Sequence, residues 1–147
     1  MSASRPGAGS EARPFVGESP TSVSIAIGPL VGPVLRRVVG MLAARADLPL
    51  DRLDDAVLVA DLIAARAPAH VTAERIDVAL EPGQRRLALR VGPLRDGGGR
   101  ALIVDAAVPG VGNVIEQLAD SVEVTTGGPE PGEFLNVRLA YSNGGGS

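Results

Sequence analysis

The sequence predicts an α+β fold: a two-layer sandwich with a mixed, mostly antiparallel sheet and helices on one face. Three observations carry this expectation. Apolar residues recur at period two in several short runs and at helical spacing in others, in the order strand, helix, helix, strand, strand, loop, helix, strand, strand. Hairpin-length connections between successive strands make much of the sheet antiparallel. Each strand alternates, so one sheet face is buried and the other comparatively polar.

The elements follow in order. Val23, Ile25 and Ile27 alternate with small or polar residues until Gly28-Pro29 stops the strand. Leu30, Val31, Val34, Leu35, Val38, Val39 and Leu42 then recur at helical spacing, with Arg36 and Arg37 off that stripe. Asp47-Leu48-Pro49 breaks this helix. A second starts near Asp51, where Asp51, Asp54 and Asp55 suit its positive N-terminal end, and stops at Ala67 because Pro68 disfavours helical geometry there. Ile76, Val78 and Leu80 alternate, Glu81-Pro82-Gly83-Gln84 turns the chain, and Leu87, Leu89 and Val91 alternate again. A glycine-rich loop, Asp96-Gly97-Gly98-Gly99, follows. The run Ala101 to Val108 fits strand, helix or ordered loop equally. Val111, Val114, Ile115 and Leu118 mark a short helix ending near Asp120, and strands at Val122–Val124 and Leu135–Leu139 close the pattern around a turn.

Met1 to about Thr21 is rich in Ser, Gly, Pro and Ala without periodicity and reads as a disordered leader, and residues 142–147 read as a flexible tail. Residues 22–141 form the single domain that a 147-residue chain accommodates. Composition excludes much chemistry. With no cysteine there is no disulfide, zinc-thiolate site or thiol nucleophile. All 14 basic residues are arginine, so lysine chemistry is excluded, and the single histidine, His70, excludes poly-histidine metal sites. This arginine usage fits a high-GC bacterial genome. A net charge of −3 and 2% aromatic residues argue against a nucleic-acid binder. No apolar stretch reaches the ~18 residues of a membrane span, and no secretion signal opens the chain, so the expected location is cytoplasmic.

Two stretches carry a resemblance. Leu53-Asp54-Asp55-Ala56-Val57-Leu58-Val59-Ala60-Asp61-Leu62-Ile63-Ala64-Ala65-Arg66 is similar to the N-box helix of the GHKL ATPase fold in bacterial anti-sigma factor serine kinases. Val114 to Val124, containing Leu118-Ala119-Asp120-Ser121-Val122, resembles that family's closing helix and strand. The similarity in element order spans Ser22 to Tyr141. It implies a regulator of transcription in the stress response, a sigma factor or an anti-anti-sigma STAS protein as partner, a homodimer, and an ATP and magnesium site.

The departures fall on the chemistry. In the family, an N-box glutamate acts as base toward the attacking serine, and an asparagine four residues later holds magnesium against the phosphates. The matching positions here are Leu62 and Arg66. Leucine accepts no proton and arginine coordinates no cation. Asp61 is adjacent, but one residue turns the side chain about 100° around the helix. The family's D-x-G-x-G loop should follow the second hairpin strand, where Val91-Gly92-Pro93-Leu94 has no aspartate; Asp96-Gly97-Gly98-Gly99 is its displaced counterpart, and Pro109-Gly110-Val111-Gly112 is all that resembles the lid.

Arg66, Asp96, Gly97, Gly98 and Gly99 are therefore the candidate nucleotide contacts, set against the plainer reading of a dipole-complementing arginine and an exposed turn. His70 matches a histidine common after the N box, yet a lone histidine following a proline also serves as a packing residue. Arg36 falls about where the family's first helix supplies an arginine to its partners, so Arg36 and Arg37 are the candidate partner contacts, against a merely solvated face. Three functions follow: an anti-sigma-like binding protein with a degenerate kinase site, which the substitutions favour; an active serine/threonine kinase acting on a STAS partner through Asp61, Asp96 and Arg66; and a STAS-like antagonist, which lacks the expected Asp-Ser-Ser or Asp-Ser-Gly. The first reading predicts no catalytic residue and no metal ligand.

Overall fold

The computed structural model describes residues 20–126, 128 and 131–141; the leader up to Ser19 and the tail from residue 142 lie outside them. The elements are β1 (Thr21–Ala26), α1 (Val31–Arg45), α2 (Leu50–Arg66), a 3-10 turn (Ala67–His70), β2 (Arg75–Gly83), β3 (Arg86–Leu94) and α3 (Gly98–Asp105). The two-residue strands β4 (Ala107–Val108) and β5 (Gly112–Asn113), then α4 (Val114–Leu118), β6 (Ser121–Thr125) and β7 (Glu133–Ala140), complete the chain. No described helix is long and apolar enough to cross a membrane.

The main sheet has five strands in the order β1-β2-β3-β7-β6. All its pairings are antiparallel, which corrects the expected mixed sheet. The reason is the last hairpin: β6 lies at the edge and turns back as β7 between itself and β3, so no pair needs a parallel crossover. The fold is thus α+β with an antiparallel sheet.

Alternation decides the two faces. Ile76, Val78, Leu80, Leu87, Leu89, Val91, Leu135, Val137 and Leu139 are buried on the inner face. Against them lie Leu35, Val39 and Leu42 of α1 and Ala56, Val59, Ala60 and Ile63 of α2 in one core cluster. Ala56 and Ala60 are fully buried in this cluster, which is aliphatic throughout. The outer face carries Ala79, Glu81, Ala88, Arg90, Asn136 and Arg138 in register across β2, β3 and β7.

Three local features differ from the sequence expectation. Thr21 already pairs with Leu80, so β1 begins inside the expected leader. The hairpin turns at Gln84-Arg85 rather than over Glu81–Gln84, with Arg85 at φ 59° closing it while Pro82 and Gly83 remain in β2. The ambiguous run Ala101 to Val108 is helical as far as Asp105 and ends as the short strand β4, and α3 starts early enough to include Gly98 and Gly99. The expected stop of α2 before Pro68 is observed, the helix ending at Arg66, and the chain continues through Pro68 as a 3-10 turn, since a proline near the start of a turn forfeits no needed N–H.

Candidate functional site

The nucleotide candidates divide by their surroundings. Arg66 ends α2, is exposed, and makes no ion pair among the described residues, the position in which a cation complements a helix C-terminus. Leu62, one turn earlier, packs half-buried against the core. Asp61 turns the other way: its carboxylate accepts a 2.7 Å hydrogen bond from Arg36 on α1. The helix thus directs its one nearby acid away from Leu62 and Arg66.

The glycine run is built around a carboxylate of this same chain. Glu133, at the start of β7, accepts hydrogen bonds from the backbone N–H of Gly97 at 2.7 Å and of Gly99 at 2.9 Å. These amides stand at the N-terminus of α3, where backbone donors and the helix dipole favour an anion. The hydrogen bonds hold the Glu133 carboxyl below its ordinary value, Gly97 contributing most and Gly99 next.

Each glycine has a separate steric reason to be there. Gly97 adopts φ 80°, the left-handed region where a side chain is strained. A Cβ on Gly98 would lie 3.2 Å from the His70 carbonyl oxygen, and one on Gly99 would lie 2.7 Å from both Val124 methyl carbons. The lid counterpart is the turn of a small hairpin, in which Val108 and Gly112 pair and Gln117 donates to the Val111 carbonyl at 2.6 Å.

His70 is the one buried polar side chain among the described core residues, with 5% of its surface exposed. Arg95 donates to its Nδ1 at 3.0 Å, and a guanidinium has no acceptor, so Nδ1 is the acceptor. The ring proton therefore sits on Nε2, which donates to Asp105 at 2.6 Å. Backbone bonds reinforce the same junction: Arg95 N–H donates to the His70 carbonyl at 2.8 Å and Gly98 N–H to the Arg95 carbonyl at 2.7 Å. The cluster ties the 3-10 turn, the end of β3 and both ends of α3 together, and both ring nitrogens are occupied.

These residues do not fit magnesium-ATP. Leu62 and Arg66 supply no oxygen ligand, and Glu133 already occupies the Gly97 and Gly99 amides of the glycine run that was the candidate nucleotide contact. Among the described residues, no group of three His, Asp or Glu is placed to hold a metal ion.

A different surface is open. Between α1 and α2, facing away from the sheet, runs a groove of about 1010 Å³ lined by Val34, Arg37, Met41, Val57 and Leu58, with Arg36 and Asp61 on its rim. Met41 is 54% and Leu58 44% exposed. Gly40 lines the same groove opposite Val57, and a Cβ there would make an ordinary 3.8 Å contact with it. The predicted partner residues thus fall together: Arg36 is tied to Asp61, whereas Arg37 makes no ion pair among the described residues.

The sequence reading missed three residues of structural weight. Arg52 donates to Asp55 at 2.9 Å, to Asp120 at 2.7 Å and to the Leu118 carbonyl at 2.9 Å, joining α2 to the chain entering β6. Glu133 and Arg95 were likewise invisible as isolated charges in polar segments; their partners are set by the sheet, not by local spacing. No protein-family model matches the chain, and no curated protein sequence matches it.

Proposed function

We propose that this chain is a binding protein of the anti-sigma type, a GHKL-like domain that retains a partner surface without kinase chemistry. The observation that carries the reading is the α1–α2 groove, where exposed Met41 and Leu58 lie beside Arg37, which makes no ion pair among the described residues. Exposed apolar side chains beside an unpaired guanidinium are the composition of a protein-docking surface, with burial for affinity and the charge for orientation. The N-box substitutions and the self-filled α3 amides support the absence of phosphoryl transfer. A sigma factor or a STAS-domain antagonist would occupy the groove with an apolar helix face and present an acidic group to Arg37. The test is direct mixing: size-exclusion chromatography with the sigma factors and STAS-domain proteins of the source genome should yield a stable complex with one of them. Absence of any complex would remove the proposal.

A further inference from the structure

The main sheet ends on β6, and that edge is open. Among the described residues, the backbone of Val122 to Thr125 has no partner besides β7. Every second residue of an antiparallel edge strand turns its N–H and C=O away from its one neighbour, so β6 presents a row of free donors and acceptors. The other edge differs: on β1 the Arg75 guanidinium already donates to the Ser24 carbonyl at 2.7 Å and to its hydroxyl at 2.9 Å. Side chains on β6 alternate by face. Val122 and Val124 stand opposite the buried Val137 and Leu135 on the inner face, with Val124 exposed. Glu123 stands opposite Asn136 on the outer face and makes no hydrogen bond or ion pair among the described residues.

We propose that β6 takes up an extended segment of a partner protein as an added strand, one whose sequence alternates apolar and basic residues. Backbone hydrogen bonds to the open edge supply affinity, and the side chains select the sequence. On the inner face, apolar residues of the added strand cover Val124 and extend the buried sheet face. On the outer face, an arginine or lysine directly across from Glu123 pairs with it, and the chain's net charge of −3 draws a basic segment in the same sense. Glu123 also argues against a second copy in that place. Full antiparallel register of two β6 strands sets Glu123 against Glu123, where like charges repel. A one-residue shift turns the second copy's valines to the outer face.

The test titrates the full, isotope-labelled chain with a capped peptide, Thr-Val-Arg-Val-Thr, whose symmetry sets its arginine opposite Glu123 in either strand direction. The amide signals of Ser121 to Thr125 should shift and saturate, and the counterpart Thr-Val-Glu-Val-Thr should bind about tenfold more weakly. Glu123→Arg, an exposed substitution, should reverse that preference. Methylating the peptide nitrogens distinguishes an added strand from a charge contact alone. Only one edge of the peptide faces β6, so methylation of both valine nitrogens and methylation of the arginine nitrogen should differ, one abolishing binding and the other sparing it. No shift at β6, equal affinity for the two peptides, equal effects of the two methylation patterns, or shifts confined to the α1–α2 groove would overturn the proposal. So would β6 shifts that depend on protein concentration without peptide, which report a second copy.

Discussion

Glu133 and Gly99 are joined across 34 positions of sequence by a 2.9 Å hydrogen bond from backbone N–H to carboxylate, and Gly97 adds a second at 2.7 Å. The anion at the N-terminus of α3 is therefore part of the fold. Replacing it with a neutral amide should cost about 1 kcal/mol in Glu133→Gln, measured by urea unfolding near neutral pH.

The same carboxylate sets a pH dependence with a definite sign. Its folded value lies below the ordinary 4.5, so the folded state binds its proton less readily than the unfolded chain. The stabilisation is complete above the ordinary value and is lost as pH falls through the lowered folded value. Unfolding free energies measured from pH 6 downward should therefore converge for the native chain and Glu133→Gln. A constant difference across that range would contradict the assignment.

Gly99→Ala should destabilise by about 2 kcal/mol, because the added methyl collides with Val124 at 2.7 Å. Val124 is on the edge strand β6 and partly exposed, so Val124→Ala should remove most of that penalty. Thermal melts of the single and double variants read this rescue directly. Failure of the second substitution to recover stability would place the cost elsewhere.

His70→Ala should lower stability by about 2 kcal/mol, since it removes a buried ring and strands Asp105 and Arg95. Coupling between His70→Ala and Asp105→Asn in a double-mutant cycle should be well above zero. Additive effects would show that the 2.6 Å contact contributes little.

The α+β class and the buried faces of β2, β3 and β7 were legible because alternation is a local signal; in β6 the alternating Val122 and Val124 stay half-buried and exposed respectively, because that strand lies at the sheet edge. Gly28-Pro29 and Asp47-Leu48-Pro49 bounded α1 well for the same reason. The fate of Asp96–Gly99 was not legible. A glycine run reads as a loop locally, while its helical start depends on Glu133, His70 and Val124, all distant in sequence. The run Ala101 to Val108 was ambiguous because its apolar residues satisfy both periods; packing of Leu102 and Ile103 into the core goes with helix up to Asp105, and Ala107-Val108 pairs as a strand. At the candidate site, Arg36 and Arg37 were readable as residues off the apolar stripe. That Asp61 would pair with Arg36 needed the α1–α2 crossing.

The groove reading rests on Met41, Leu58 and Arg37, and Leu58→Glu isolates it. Leu58 is 44% exposed, so the substitution should change folding stability by less than about 0.5 kcal/mol. The decisive measurement is calorimetric titration of a sigma factor or STAS partner into the native chain and into Leu58→Glu, each with and without magnesium-ATP. A binding protein of this kind gives saturable heat that is indifferent to nucleotide and vanishes in Leu58→Glu. Binding that requires magnesium-ATP, phosphate transfer to the partner, or full affinity in Leu58→Glu would contradict it.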